Sequence, residues 1–149
     1  MAVFEVSVTL TTSAEELFEL LSRPASAVDL TPPGTTMTLV LAPEVVQVGS
    51  RVEFDLDGMG PTQRLVHEII ECTPPSKITA RQERGPFASF VHEALLQSNG
   101  DVEVKLTDRI EFEPPSGLLG FLLTETRVRS MLEEGYAYRH AELVKIFSA

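Results

Sequence analysis

Two side chains in this sequence have the chemistry and the setting for proton transfer inside an apolar site. They are His92 and Asp108, which flank a Ser98-Asn99-Gly100 turn signal between two runs of alternating hydrophobicity. An imidazole beside a carboxylate is a base with a partner that fixes its tautomer, and it can also simply orient a carbonyl group. Whether the two meet depends on hairpin register, because a slip of one residue inverts every face. A two-residue Asn99-Gly100 turn pairs His92 with Thr107 and Ala94 with Lys105, setting polar residues against the apolar face. A three-residue loop with Gly100 left-handed pairs Leu96 with Val102, Ala94 with Val104, His92 with Leu106 and Phe90 with Asp108, and keeps that face whole. This second register is the expected one. It makes His92 and Asp108 diagonal neighbours whose side chains can touch. The plain alternative is a buried polar pair that only satisfies itself.

The other reactive side chains carry weaker signals. His67 lies on a strand where Leu65/Ile69 and Val66/Ile70 both look apolar, so its face is open and a structural role is the simpler reading. Gln82 shares a face with Ala80 and Ile78 and is a candidate to reach a pocket, while Arg81 and Glu83 face the other way, toward solvent. His140, beside Arg139 late in a helix, reads as a partner for the last turns or the helix dipole. Three histidines on separate elements at no ligand spacing imply no metal. Cys72, the only cysteine, reads as a small buried hydrophobe and excludes an internal disulfide. Glu53, Asp55 and Asp57 alternate along a strand and form a solvated face. There is no glycine-rich phosphate loop, nucleophile elbow or zinc-protease motif.

These residues must be positioned by elements that the periodicity defines. Val3–Leu10 alternates as a half-buried strand. Ser13 with Glu16 makes a capping box for a helix carrying Leu17, Phe18, Leu20 and Leu21, ended near Ser22 by Pro24. A short helical turn can follow at Ser26–Leu30. Strands then read at Thr36–Ala42, Arg51–Asp57, Gln63–Cys72, Lys77–Arg84, Phe87–Gln97 and Asp101–Phe112, separated by turns such as Gly58 with Gly60-Pro61. Leu118–Phe147 has no proline and reads as one long helix with a stripe of Phe121, Val128, Leu132, Tyr136, Leu143 and Phe147. Gly135 within it reads as a point of close packing or a slight bend, with room for a ligand as the alternative.

The whole chain, residues 1–149, reads as a single α+β domain. Its expected order is β-α-α-β6-α, with a curved antiparallel sheet of about seven strands wrapped around the C-terminal helix. The 12 basic against 22 acidic residues leave a net charge of −10, which argues against nucleic acid and an anionic membrane surface as partners. No apolar run reaches the roughly 20 residues of a membrane span, and the N-terminus lacks the pattern of a signal peptide. A cytoplasmic location is the resulting expectation.

The sequence resembles the helix-grip proteins of the START/SRPBCC superfamily, and more specifically its bacterial polyketide cyclase/dehydrase-like members. The resemblance covers nearly the whole chain. Its carriers are residues 72–78 (Cys-Thr-Pro-Pro-Ser-Lys-Ile), Gly85-Pro86-Phe87 with Phe90 and His92, residues 106–112 and Tyr138-Arg139-His140. Some relatives of that type carry an aspartate in place of Ala80 and a second histidine in place of Ala94, which implies that proton chemistry through those groups is missing here. The expected function is binding of a small hydrophobic, aromatic or lipid-like ligand between sheet and helix, with no cofactor. Phe54, Leu56, Phe90, Leu106, Leu132 and Tyr136 would line the pocket, and His67, Gln82, His92, Asp108 and the Tyr136 hydroxyl would orient the ligand. One alternative is a cyclase or dehydratase in which His92 and Asp108 are catalytic. The other is a protein-interaction module with a filled core, including a homodimer.

Overall fold

The computed structural model describes residues 1–58 and 61–148. Gly60, expected in a turn, and Ala149 lie outside the described residues. Chain order is β1 (Ala2–Leu10), α1 (Ala14–Leu21), α2 (Pro24–Asp29), β2 (Thr36–Leu41), β3 (Arg51–Asp57), β4 (Gln63–Thr73), β5 (Lys77–Arg84), β6 (Ser89–Asn99), β7 (Glu103–Glu113), α3 (Leu118–Leu122) and α4 (Glu125–Ile146). The seven strands form one antiparallel sheet in the order β1-β7-β6-β5-β4-β3-β2, so consecutive strands pair from β2 to β7 and β1 closes on β7. No helix among the described residues is long and apolar enough to cross a membrane.

The capping box at α1 forms as its residue types dictate. Ser13 Oγ accepts from the Glu16 amide at 3.1 Å, and Thr12 donates to the Glu16 carboxylate at 2.9 Å. This fixes the helix so that Ala14, Leu17 and Phe18 turn inward.

Two apolar clusters fill the hollow of the sheet. One joins α1 to Leu96, Val104, Leu106 and Leu143. The other joins Phe4, Ile110, Phe112 and Val128, with Phe87, Phe90, Leu132 and Tyr136 against it.

Two sequence expectations need correction. The C-terminal helix is not continuous over Leu118–Phe147. It breaks at Leu123, which has φ −111° and ψ 71°, and restarts at Thr124, whose Oγ1 accepts from the Arg127 amide at 3.3 Å. A threonine hydroxyl that satisfies the first free amides outcompetes helix continuity there. Beyond the break, α4 is a 22-residue helix, about 33 Å long at 1.5 Å per residue. The break turns α3 outward, so Phe121 does not join the buried stripe and is 82% exposed.

The β6–β7 register also differs. Asn99 pairs with Glu103, and Gly100, at φ +71°, opens a loop over residues 100–102 instead of closing one. His92 therefore faces Ile110, Ala94 faces Asp108, and Phe90 faces Phe112. Val102, expected in the ladder, sits exposed in the loop. The shift is even, so the faces are unchanged. His92 and Asp108 remain diagonal neighbours on the concave side.

Candidate functional site

Asp108 is the hub of the concave face. Its row neighbours on the flanking strands are Val6 and Ala94, both short, which leaves room above the carboxylate for groups from α4. Those groups are Tyr136, Arg139, His140 and Leu143, spaced i, i+3, i+4 and i+7 on one helix face. His140 donates from Nε2 to Asp108 Oδ2 at 2.6 Å, and His92 donates from Nε2 to Oδ1 at 2.8 Å. Arg139 donates from Nε to Oδ2 and from Nη2 to Oδ1, each at 3.2 Å. Four donated bonds saturate the lone-pair directions of a carboxylate.

Burial alone would raise the Asp108 carboxyl pKa. The Arg139 guanidinium and the bonds from His140 and His92 outweigh it and hold the group well below the usual carboxylate range. Arg139 is likewise pushed down by burial, but the charge of Asp108 and its hydrogen bonds more than offset this. The Tyr136 hydroxyl is driven up, first by burial and then by the Asp108 charge, so it stays a donor. Its ring stands edge-on to His92 at 5.5 Å, with the Arg139 guanidinium 5.6 Å from its centre.

This arrangement divides the chemical roles. Asp108, 0% exposed and fully bonded, has no acceptor left to take a proton from a guest, so it positions its neighbours. His92 gives Nε2–H to Asp108, which leaves Nδ1 as its second nitrogen for base or acceptor work. The His92 and Arg139 side chains keep 20% and 15% of their surface although protein encloses them. They border a partly covered stretch of the concave face, a crevice that solvent reaches. An aspartate with two histidines is a set that elsewhere holds a cation, but here the guanidinium supplies the positive charge. Among the described residues no metal-holding group of His, Cys, Asp and Glu is present.

This crevice extends over the sheet floor that α4 leaves partly covered. The helix leans chiefly on β1. Val52, Leu56, His67, Ala80, Phe90 and His92, on β3 to β6, stay half-buried. His67 faces this side, because it pairs with Val52 and Gln82 and its ring stacks on Phe90 at 5.7 Å and meets Phe54 edge-on at 5.2 Å. Burial, with the charge of His92, pushes His67 down to about 4. Two shallow outer depressions lie elsewhere. One, bounded by Ser7, Lys77, Lys105 and Thr107, is on the opposite face of the sheet, and the other is beside α2 and β2. Neither adjoins the Asp108 cluster.

The structure thus brings together His92, Asp108 and Tyr136, with Phe90 and His67 alongside. Leu132 packs below Tyr136 in the Phe4 cluster, and Leu56 lies at the margin. Phe54 is nearly sealed behind His67. Leu106 faces the same way but has no exposed surface and belongs to the packed cluster under α1, so it cannot line the crevice. The Gln82 amide is already engaged. It donates to the Phe87 carbonyl at 2.8 Å and accepts from the Phe87 amide, clamping the 85–88 turn.

Two further expectations are overturned. His140 is not a partner for the last helical turns or the helix dipole: it donates to Asp108, whose row neighbour Ala94 is short. Gly135 is not a point of close packing, since a Cβ there would meet nothing within 4 Å. Arg139 and His140 join the site without having been expected there. The available signal was a charged residue three positions after Tyr136 on an otherwise apolar stripe.

Comparisons with known proteins agree with this architecture. A family model described as "Polyketide cyclase / dehydrase and lipid transport" matches residues 1–145. No curated protein matches the chain significantly. Among solved structures, the chain is similar to Zhui aromatase/cyclase from Streptomyces sp. R1128, with 19% identity, a TM-score of 0.74, and coverage of 97% of this chain and 92% of that one. It is similar to ginseng major latex-like protein 151 from Panax ginseng at 18% identity and a TM-score of 0.65, covering 96% and 97%. It is also similar to a protein from Arthrobacter aurescens at 14% identity and a TM-score of 0.72, covering 98% and 86%. At these identities the likeness is one of fold.

Proposed function

The chain belongs to the polyketide cyclase/dehydrase and lipid transport family, and on that premise we propose that it binds a small, largely apolar, aromatic or polyketide-like molecule in the crevice between β3–β6 and α4. The observation that carries this reading is the partial exposure of His92 and Arg139 beside a fully saturated Asp108. Polar groups that converge in an apolar-walled recess, fixed by a buried carboxylate, serve to orient a guest. Aromatic walls at Phe87, Phe90 and Tyr136 favour a flat guest over a branched one. The test is displacement of an environment-sensitive dye, 1-anilinonaphthalene-8-sulfonate, by naphthalene and by linear fatty alcohols. Displacement by naphthalene, lost in Phe90→Asp with melting retained, supports the reading. A protein that binds neither dye nor naphthalene rejects it and favours a filled interaction module.

A second reading is favoured by the 2.8 Å bond between His92 and Asp108. In it the same crevice performs cyclase- or dehydratase-type proton transfer. Asp108 fixes the imidazole, His92 Nδ1 takes the proton, and the Tyr136 hydroxyl polarises the carbonyl of the guest. Turnover of an aromatic β-ketone substrate that falls at least about a hundredfold in His92→Phe, with ligand affinity kept, distinguishes catalysis from carriage.

A further inference from the structure

Outside the Asp108 cluster, one histidine nitrogen stands without a purpose. Among the described residues, His67 Nε2 is sealed from water and has no hydrogen-bond partner. A buried ring nitrogen with no partner is unfavourable, and such a group in a native core calls for an explanation. The aromatic rings it meets, those of Phe54 and Phe90, are ones a leucine or phenylalanine would meet as well. The Gln82 amide, opposite it in the ladder, is spent on the Phe87 backbone. The position lies on the same concave floor as His92, two strands away across β5, since β4 pairs with β5 and β5 pairs with β6. Phe87, Phe90, His67 and Phe54 form a row of rings across that floor, with successive centres 5.1, 5.7 and 5.2 Å apart.

We infer that His67 is a second polar anchor of the crevice, which takes an uncharged hydroxyl or carbonyl group of an aromatic guest and gives no preference to a carboxylate. The inference rests on the ligand-binding reading above and narrows its ligand class. A neutral imidazole has one donor and one acceptor nitrogen, so it can accept from a phenol or donate to a ketone. The apolar walls keep the ring uncharged, which denies a carboxylate its ion pair. The Phe90 ring stacks on His67 and is itself only half-buried, so a planar guest can reach the imidazole by displacing that ring and restacking on Phe87. The guest then has two polar ends, one at His92 and Tyr136 and one at His67, separated by a flat apolar body.

The experiment uses three probes of one shape: naphthalene, 2-naphthol and 2-naphthoate. Affinities are measured by calorimetry on the full chain and on His67→Leu and His92→Leu. The wild type is expected to bind 2-naphthol roughly tenfold more tightly than naphthalene, with no such gain for 2-naphthoate. His67→Leu is expected to abolish the hydroxyl gain and leave naphthalene affinity within about twofold. Replacing an unpartnered imidazole with leucine keeps the fold, and a melting curve checks this. A hydroxyl gain that survives His67→Leu and disappears in His92→Leu overturns the inference and leaves the ligand-binding reading intact. Equal affinity of the wild type for naphthalene and 2-naphthol also overturns it. Absence of binding by every probe overturns both.

Discussion

The Nε2–H of His140 donates to Oδ2 of Asp108 at 2.6 Å, joining the last third of α4 to the middle of β7. Arg139 and His92 close on the same carboxylate, so helix and sheet are fastened at one acidic side chain.

Asp108→Asn tests the fastening. Removing one member of a buried charged set strands the others, at a cost of about 3–5 kcal/mol. For a domain of this size each kcal/mol lowers Tm by roughly 2–4 °C, so a fall on the order of 10 °C is expected in a thermal melt. A fall under about 3 °C would mean that water already reaches Arg139 and shares its charge.

Asp108 and His67 should destabilise the fold in separate acid windows. Asp108 is depressed in the folded state, so its stabilisation is present above the unfolded carboxyl value of about 3.9 and is lost as pH falls further, through the folded value. His67 is also depressed, from 6.5 to about 4, but it is a base. The unfolded chain therefore binds the extra proton, and stability falls as pH drops from 6.5 toward 4, by up to about 3 kcal/mol. Urea midpoints at pH 7 and pH 4.5 should differ less in His67→Leu than in the wild type. Identical differences in the two proteins would show that His67 does not titrate in that window.

The fold was largely legible because its signals are local. Alternation in β3 and the Ser13–Glu16 capping box specify their elements without reference to anything distant. What escaped depended on small residues acting at a distance. Thr124 carries a capping hydroxyl inside a proline-free run, and helical composition hid the break it causes. Ala94 on β6 drew notice only for the histidine some relatives carry there, not for the room it leaves beside Asp108, which His140 reaches. The meeting of His92 with Asp108 is indifferent to the loop that joins their strands, because the register differs from expectation by an even step. The face of His67 could not be read because β4 is apolar on both sides near it, and its ladder partners settled the matter.

Tyr136→Phe separates ligand orientation from stability. The ring packs on Phe4 and His92 and is kept by the substitution, while only the hydroxyl is lost. One hydrogen bond to a guest is worth about 0.5–1.5 kcal/mol net. Affinity for a carbonyl-bearing aromatic such as 2-acetylnaphthalene should fall about three- to tenfold in calorimetry, with naphthalene affinity and melting unchanged. Equal losses for both probes would assign Tyr136 to wall packing alone.

Gly135 offers a sharper test, because stability and binding should move in opposite directions there. Glycine inside a helix is about 1 kcal/mol less favourable than alanine. A Cβ at this position meets no atom within 4 Å, so Gly135→Ala introduces no clash in the free protein. At about 3.6 residues per turn, Gly135 and Arg129 fall on opposite flanks of the buried stripe of α4. Arg129 donates to the Val3 carbonyl on the edge strand β1 at 2.8 Å, while Gly135 lies two turns along the helix from Val128 and stands beside open space. On the proposed ligand-binding reading, this open space is where α4 borders the guest. Gly135→Ala should raise Tm by roughly 2–4 °C, and larger residues such as Gly135→Leu should progressively weaken naphthalene binding by filling that space. A series that stabilises the helix and leaves affinity untouched throughout would place the guest away from α4, against the sheet alone.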